Sequence, residues 1–209
     1  GLVSGASSFH APTAPRGLTL DNTALPPPAQ KDYYITDAFT DHAIQFLGEH
    51  PRAQPFFLYL AFTAPHWPLH ARDEDIRKFT GRYRGGWDRL REQRFARQRE
   101  LGIVPAHARL SPRDDGARAW DTLKPEEHAE LDYRMAVYAA QIHRMDHNVG
   151  RLVAHLRERG QLENTLILFL SDNGGCAEPY TDLGGGAFAA VNQPTAAGAG
   201  GRSEERRVG

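Results

Sequence analysis

The sequence has a single cysteine, Cys176, which excludes an internal disulfide framework and any metal site built from several thiolates. One cysteine suits a reducing and an oxidising compartment equally, so cytoplasm and periplasm both stay open. No apolar run approaches the roughly 20 residues that a membrane-spanning helix needs. Gly1-Leu2-Val3-Ser4-Gly5 lacks the basic start and long apolar stretch of a signal peptide, but the chain starts without Met, so this says nothing about export. Neither sign of charge prevails. With 25 basic and 26 acidic residues, the formal net charge is -1 and the pI near 6.9, so no global field draws the chain to nucleic acid, a membrane or a polyanion. Any binding preference must come from local groups.

What is present is a composition suited to a globular domain, 40% hydrophobic and 24% charged over 209 residues. Residues 1–32, rich in Gly, Ser, Ala and Pro, read as loop. A helix follows, with Thr36 and Asp37 as candidate caps and Ile35, Phe39, Ala43 and Phe46 or Leu47 on one face, ending near Gly48 and Pro51. Phe56 to Phe62 is a continuous apolar run expected to form a buried strand, and it leads into Thr63-Ala64-Pro65-His66-Trp67-Pro68-Leu69-His70. The arginine-dense stretch from about Asp73 to Leu101 is expected to hold a surface helix, and residues 102–122 to connect. A long helix starts near Pro125, with Leu131, Met135, Tyr138, Ile142, Met145, Val149, Leu152 and Leu156 as its apolar stripe and Gly160 as its cap. Thr165 to Leu170 repeats the buried-strand theme and ends in Ser171-Asp172-Asn173-Gly174-Gly175. Helix and strand in alternation predict an α/β fold, a mostly parallel sheet flanked by helices, with both polar loops at the ligand-binding edge.

Asp172 and Asn173 place a carboxylate and an amide carbonyl side by side, hard oxygen donors suited to calcium or magnesium. Asp-Asn-Gly is also what a plain turn prefers, and for the tetrapeptide alone that reading is the stronger. His66 stands between Pro65 and Trp67-Pro68 on a loop stiffened by proline, which suits catalysis or anion binding; a histidine bonded within its own turn is the bland alternative. His70, His143 and His147 have weaker cases. His143 and His147 are four apart on a helix without the Glu of a metalloprotease motif, so a solvated face explains them better. Arg82, Arg84, Arg89, Arg91, Arg94, Arg97 and Arg99, with Tyr83 and Trp87, could grip a nucleic acid, but Asp88, Glu92 and Glu100 dilute the field, and no nucleic acid or membrane partner is expected.

Two stretches together resemble the bacterial arylsulfatases, type I sulfatases of the alkaline-phosphatase-like superfamily. The first runs from Pro55-Phe56-Phe57-Leu58-Tyr59 to Ala64-Pro65-His66-Trp67-Pro68-Leu69. The second joins Tyr138-Ala139-Ala140, Arg144-Met145-Asp146, Asn148-Val149-Gly150, Asn164-Thr165 and Ser171-Asp172-Asn173-Gly174. The resemblance spans most of residues 33 to 175. It implies a sulfuric ester hydrolase acting on a small-molecule sulfate ester. Asp172 and Asn173 would be two ligands of an active-site calcium, with magnesium as the alternative, and His66 would contact the sulfate and assist departure of the alcohol. The nucleophile would be a formylglycine hydrate made from a Cys or Ser.

The departures point to a piece of a longer gene. Cys176 is followed by Glu178 and Tyr180 where a Cys-x-Pro-x-Arg nucleophile needs Pro and Arg, and no lysine follows Lys124 to contact sulfate. The resemblance also implies a further pair of metal-binding aspartates, the nucleophile motif and a Lys-x-His pair after it, all of which are expected to precede residue 1. In this division residues 1–32 are a loop-rich start, 33–181 the central part of an incomplete catalytic domain, and 182–209 a low-complexity tail whose Arg202 to Gly209 reads as a translated sequencing adapter. Alone, the fragment is expected to be inactive and to hold metal poorly. A phosphatase, phosphonate hydrolase or phosphodiesterase on the same scaffold is the alternative, alongside a catalytically inactive fragment. Oligomeric state is not readable from these residues.

Overall fold

The computed structural model describes residues 7–13 and 15–174; Gly175, Cys176 and the tail from residue 182 lie outside the described residues. Two helices carry the architecture. The first, α1, spans Ile35–Glu49. It stops where His50, which precedes Pro51, turns extended, as the residue before a proline must. Thr36 and Asp37 are not its caps: Tyr34 holds that position without a side-chain bond, and Thr36 and Asp37 are the second and third helical residues. After the short α2, Asp73–Ile76, and the surface helix α3, Gly86–Glu100, comes the 34-residue α4, Pro125–Glu158. Pro125 sits at its first turn and the Glu127 carboxylate accepts from the Lys124 amide at 2.8 Å. Gly160, at φ 69°, closes the other end, with the Gln161 amide reaching back to the Leu156 carbonyl at 2.9 Å.

Helices α1 and α4 lie side by side in parallel, as cross-bonds in ascending order show. Asn148 donates to Asp37, Arg151 to Asp41, and Arg159 to the carbonyls of Gly48 and His50. Gln161 adds a bond to the Arg52 carbonyl. The two apolar stretches that follow these helices therefore set out from the same end of the pair. Residues 56–62 run back along α1, since Ala64 at their end packs with Tyr34 and Ile35 at its start.

Both stretches are extended, but among the described residues neither joins a ladder; the sheet present is a two-stranded hairpin, β1 Thr19–Leu20 with β2 Thr23–Ala24, turned through Asp21 at φ 51° within the segment expected to be loop. Residues 56–62 alternate as a strand does. Phe56, Leu58 and Leu60 are half-buried, while Phe57 is 93% and Tyr59 80% exposed. In the second stretch Leu166 is 84% exposed and Phe169 72%. The burial expected of these runs is thus present on one face of the first and little on the second.

The apolar stripe read along α4 is not its most buried face. Of the stripe Leu156 is buried, but Tyr138 and Ile142 are exposed, and the deepest residues along the middle of the helix are Ala136, Val137, Ala140, Gln141 and Asn148, with Asp132. Small side chains win here because they let α2 and the loop after residue 63 approach the helix closely, in a core of Leu69, Ala71 and Ile76 against Ala136, Val137 and Ala140. A second core joins Phe9, Tyr34, Ile35 and Ala64. Gly86 meets a comparable demand: at φ 82°, with Trp120 Cγ 2.2 Å from where its Cβ would stand, no other residue fits.

Candidate active site

The loop bearing His66 is anchored along its length. The His66 amide donates to the Thr63 carbonyl at 2.9 Å, the His70 amide to Pro68 at 2.9 Å, and the Tyr34 hydroxyl to the His70 carbonyl at 2.9 Å. Gln141, fully buried on α4, donates to the Pro68 carbonyl at 3.1 Å and more weakly to that of His66 at 3.5 Å. Leu69 seals the loop into the first core. The His66 ring itself is exposed, with Nδ1 2.7 Å from the Trp67 carbonyl oxygen. A carbonyl can only accept, so Nδ1 carries the proton. Nε2 is then a free acceptor in the neutral ring and a free donor in the charged one.

Behind this loop lies an ion network that ties α1, α2 and α4 together. Arg144 grips Asp37 with two bonds, at 2.7 and 2.8 Å, Arg72 adds one at 3.0 Å and Asn148 one at 2.7 Å. Burial pushes the Asp37 carboxyl upward, but the bonds from Arg144 and Asn148 and the nearby guanidinium charges outweigh it and hold it below the usual carboxylate range. The bond to Asp37 in turn raises Arg144. Arg144 also faces Glu74 and the buried Asp75, to which Lys78 bonds at 2.7 Å.

The Asp172 loop is built differently. Asp172 and Asn173 are exposed, and among the described residues the one hydrogen bond of the pair is local, from the Asn173 side-chain amide nitrogen to the Gly174 carbonyl at 2.7 Å. That bond leaves Asn173 Oδ1 open, and Asp172 has no hydrogen bond or ion pair among the described residues. Two hard oxygens engaged by no arginine or lysine among the described residues fit a hard cation as part of its shell. They cannot complete it, since calcium takes about six to eight oxygens. Among the described residues no group of three or more His, Cys, Asp and Glu side chains is placed to hold a metal. No hydrogen bond joins His66 to Asp172 or Asn173.

Two of the weaker candidates have structural employment, while His147 lies exposed on α4. His70 packs on Phe9 and His10, and His143 accepts or donates at Lys78 Nζ, 2.9 Å away, while its ring meets Phe79 edge-on. Burial lowers the His10 pKa. Trp87 donates to the Arg118 carbonyl and stands edge-on to Trp120, and Arg91 is bound to Ser111 and Pro112.

A family model described as Sulfatase matches residues 5–200. The chain belongs to the sulfatase family. An uncharacterized sulfatase of Schizosaccharomyces pombe is 41% identical over 145 residues, 69% of this chain and 26% of that protein. An arylsulfatase of Klebsiella aerogenes is 40% identical over 143 residues, 68% and 31% of the two chains. A multifunctional alkaline phosphatase superfamily protein of Trinickia caryophylli is 27% identical over 154 residues, 73% of this chain and 29% of its own. The chain thus spans between a quarter and a third of the length of these curated relatives.

Membership of the sulfatase family implies an α/β fold of the alkaline-phosphatase-like kind, a divalent metal and sulfate ester substrates for the family. Two residues of this sulfatase escaped the sequence reading. Asp37 looked like a cap because acids favour a helix start; the pair Arg144 and Asn148, four apart and facing α1, was the signal of its real partners. Gln141 gave no signal, since a polar residue on an apolar helix face can be told from a surface one only after the fold is known.

Proposed function

We propose that this chain is the central part, residues 33–181, of the catalytic domain of a sulfuric ester hydrolase. The observation that carries the reading is the placement of the two loops: each follows an extended stretch that leaves the same end of the parallel α1 and α4 pair. In a mostly parallel sheet, the finer form of the fold, both would lie at the C-terminal edge where such sheets bind ligands. The bare faces at Phe57, Tyr59, Leu166 and Phe169 are consistent with strands whose neighbours lie elsewhere in the protein. Asp172 Oδ and Asn173 Oδ1 would hold calcium, or magnesium, which when bound neutralises charge developing on sulfate oxygens. The nucleophile, a formylglycine in this reading, would come from outside residues 33–181. His66, with Nδ1 held on the Trp67 carbonyl, would contact the sulfate and pass a proton from Nε2 to the departing alcohol.

The complete gene product, supplied with calcium, should hydrolyse an aryl sulfate, lose that activity to a chelator and regain it when calcium is returned. His66→Ala should lower kcat most on esters of weakly acidic alcohols, because those need a proton on departure. Turnover of phosphate esters with sulfate esters untouched would favour instead the phosphatase, phosphonate hydrolase or phosphodiesterase reading, to which the likeness to a multifunctional alkaline phosphatase superfamily protein lends some weight.

A further inference from the structure

Gln141 is an unusual choice for its position. Its side chain is fully buried, with Ala136, Val137 and Ala140, on the face of α4 that packs against the His66 loop, and among the described residues its Oε1 has no partner. An orphaned amide oxygen in such a place costs about 1–3 kcal/mol, so an apolar side chain of equal volume would serve packing better. What only a donor can do here is hold carbonyls. The Nε2 group faces the Pro68 carbonyl at 3.1 Å and the His66 carbonyl at 3.5 Å, and since both are acceptors the amide orientation follows from them.

We propose that Gln141 is a positioning residue for His66. The amide fixes the two carbonyls that flank Trp67, and the Trp67 carbonyl is the group that receives Nδ1–H of His66. Holding the peptide on both sides of that acceptor sets its direction, and through it the ring tautomer and the place of Nε2. A buried group on α4 thereby governs an exposed imidazole it does not touch. This role rests on His66 acting as proton donor to the leaving alcohol, and the experiment separates the two ideas.

In the full-length sulfatase, rates are measured on 4-nitrophenyl sulfate, whose phenol leaves unaided, and on phenyl sulfate, whose phenol needs a proton. Gln141→Met keeps the volume and removes the donors; Gln141→Leu is a second apolar variant. Both should shift the ratio of kcat for the two esters by roughly tenfold toward 4-nitrophenyl sulfate, part of the larger shift given by His66→Ala. The ratio within one preparation is independent of how much enzyme is folded, so a partly folded variant still gives an answer. If His66→Ala shifts the ratio and the Gln141 variants scale both rates equally, Gln141 is a packing residue and the inference is wrong. If His66→Ala leaves the ratio unchanged, it is the proton-donor role of His66 that fails, and the positioning role falls with it.

Discussion

The His66 loop and the Asp172 loop each follow an apolar extended stretch, yet the first is gripped by Tyr34, at the cap of α1, and Gln141 from α4, while among the described residues the second holds only a bond to its own next residue. The difference matches what each would have to do. An acid must arrive with its proton in one place, so its loop is fixed by the protein that surrounds it. Metal ligands can be ordered by the ion they bind, and the binding energy then does the ordering. Under the proposed function, the firmly held loop would carry the proton donor and the solvent-exposed loop the metal ligands.

The contrast is broken most sharply at Asp172. In the full-length sulfatase Asp172→Ala should reduce turnover by more than ~100-fold, since removing even an outer partner of a metal ligand costs about 10–100-fold. It should move metal-free stability by less than about 0.5 kcal/mol, as expected of an exposed side chain with no partner among the described residues. A melting curve without calcium reads the second effect, and a large drop there would mean that the loop is structural. Asp37→Ala should do the reverse, costing about 3 kcal/mol because Arg144 and Arg72 are left without their shared carboxylate. Denaturant titration measures it, and a loss under 1 kcal/mol would show the network to be decorative.

Asp37 also gives the comparison a pH axis. Its carboxyl is held lower in the folded protein than in the unfolded chain. The network therefore contributes fully above the unfolded value, about 3.9, and is lost as pH falls through the lower folded one. Asp37→Asn should be less stable at neutral pH and should lose less of its remaining stability on acidification. Parallel acid titrations of the two proteins by circular dichroism would contradict this if their curves kept a constant separation. The smallest effect belongs to Tyr34→Phe, which leaves the His70 carbonyl without its hydroxyl donor and should cost about 1 kcal/mol, detectable as a modest drop in Tm.

The helices were legible because their signals are local. Pro125 and Gly160 bracket α4 and Pro51 stops α1 wherever the rest of the chain goes. The extended stretches were legible as segments but not as surfaces. Periodicity tells which residues can share a face, and Phe57 and Tyr59 do alternate with Phe56 and Leu58, but only tertiary partners decide whether that face is covered. The inner face of α4 was misread for a related reason. Its large apolar residues formed the stronger pattern, whereas close approach of the His66 loop selected Ala136, Ala140 and Gln141.

The bonds from Arg159 and Gln161 to Gly48, His50 and Arg52 act as a datum from which both loops are measured. From there to Asp172 the chain is extended and unbranched by any turn after Thr165, so each residue counts for about 3.3 Å and reverses the side on which the next side chain falls. Under the proposed metal role of Asp172, one inserted or deleted residue between Gln161 and Ser171 would carry the carboxylate farther than a metal–oxygen bond is long. Variation in this stretch should thus appear as exchange of one apolar residue for another and never as a change of length, while the connection at residues 102–119, tied to neither loop, is free to grow or shrink.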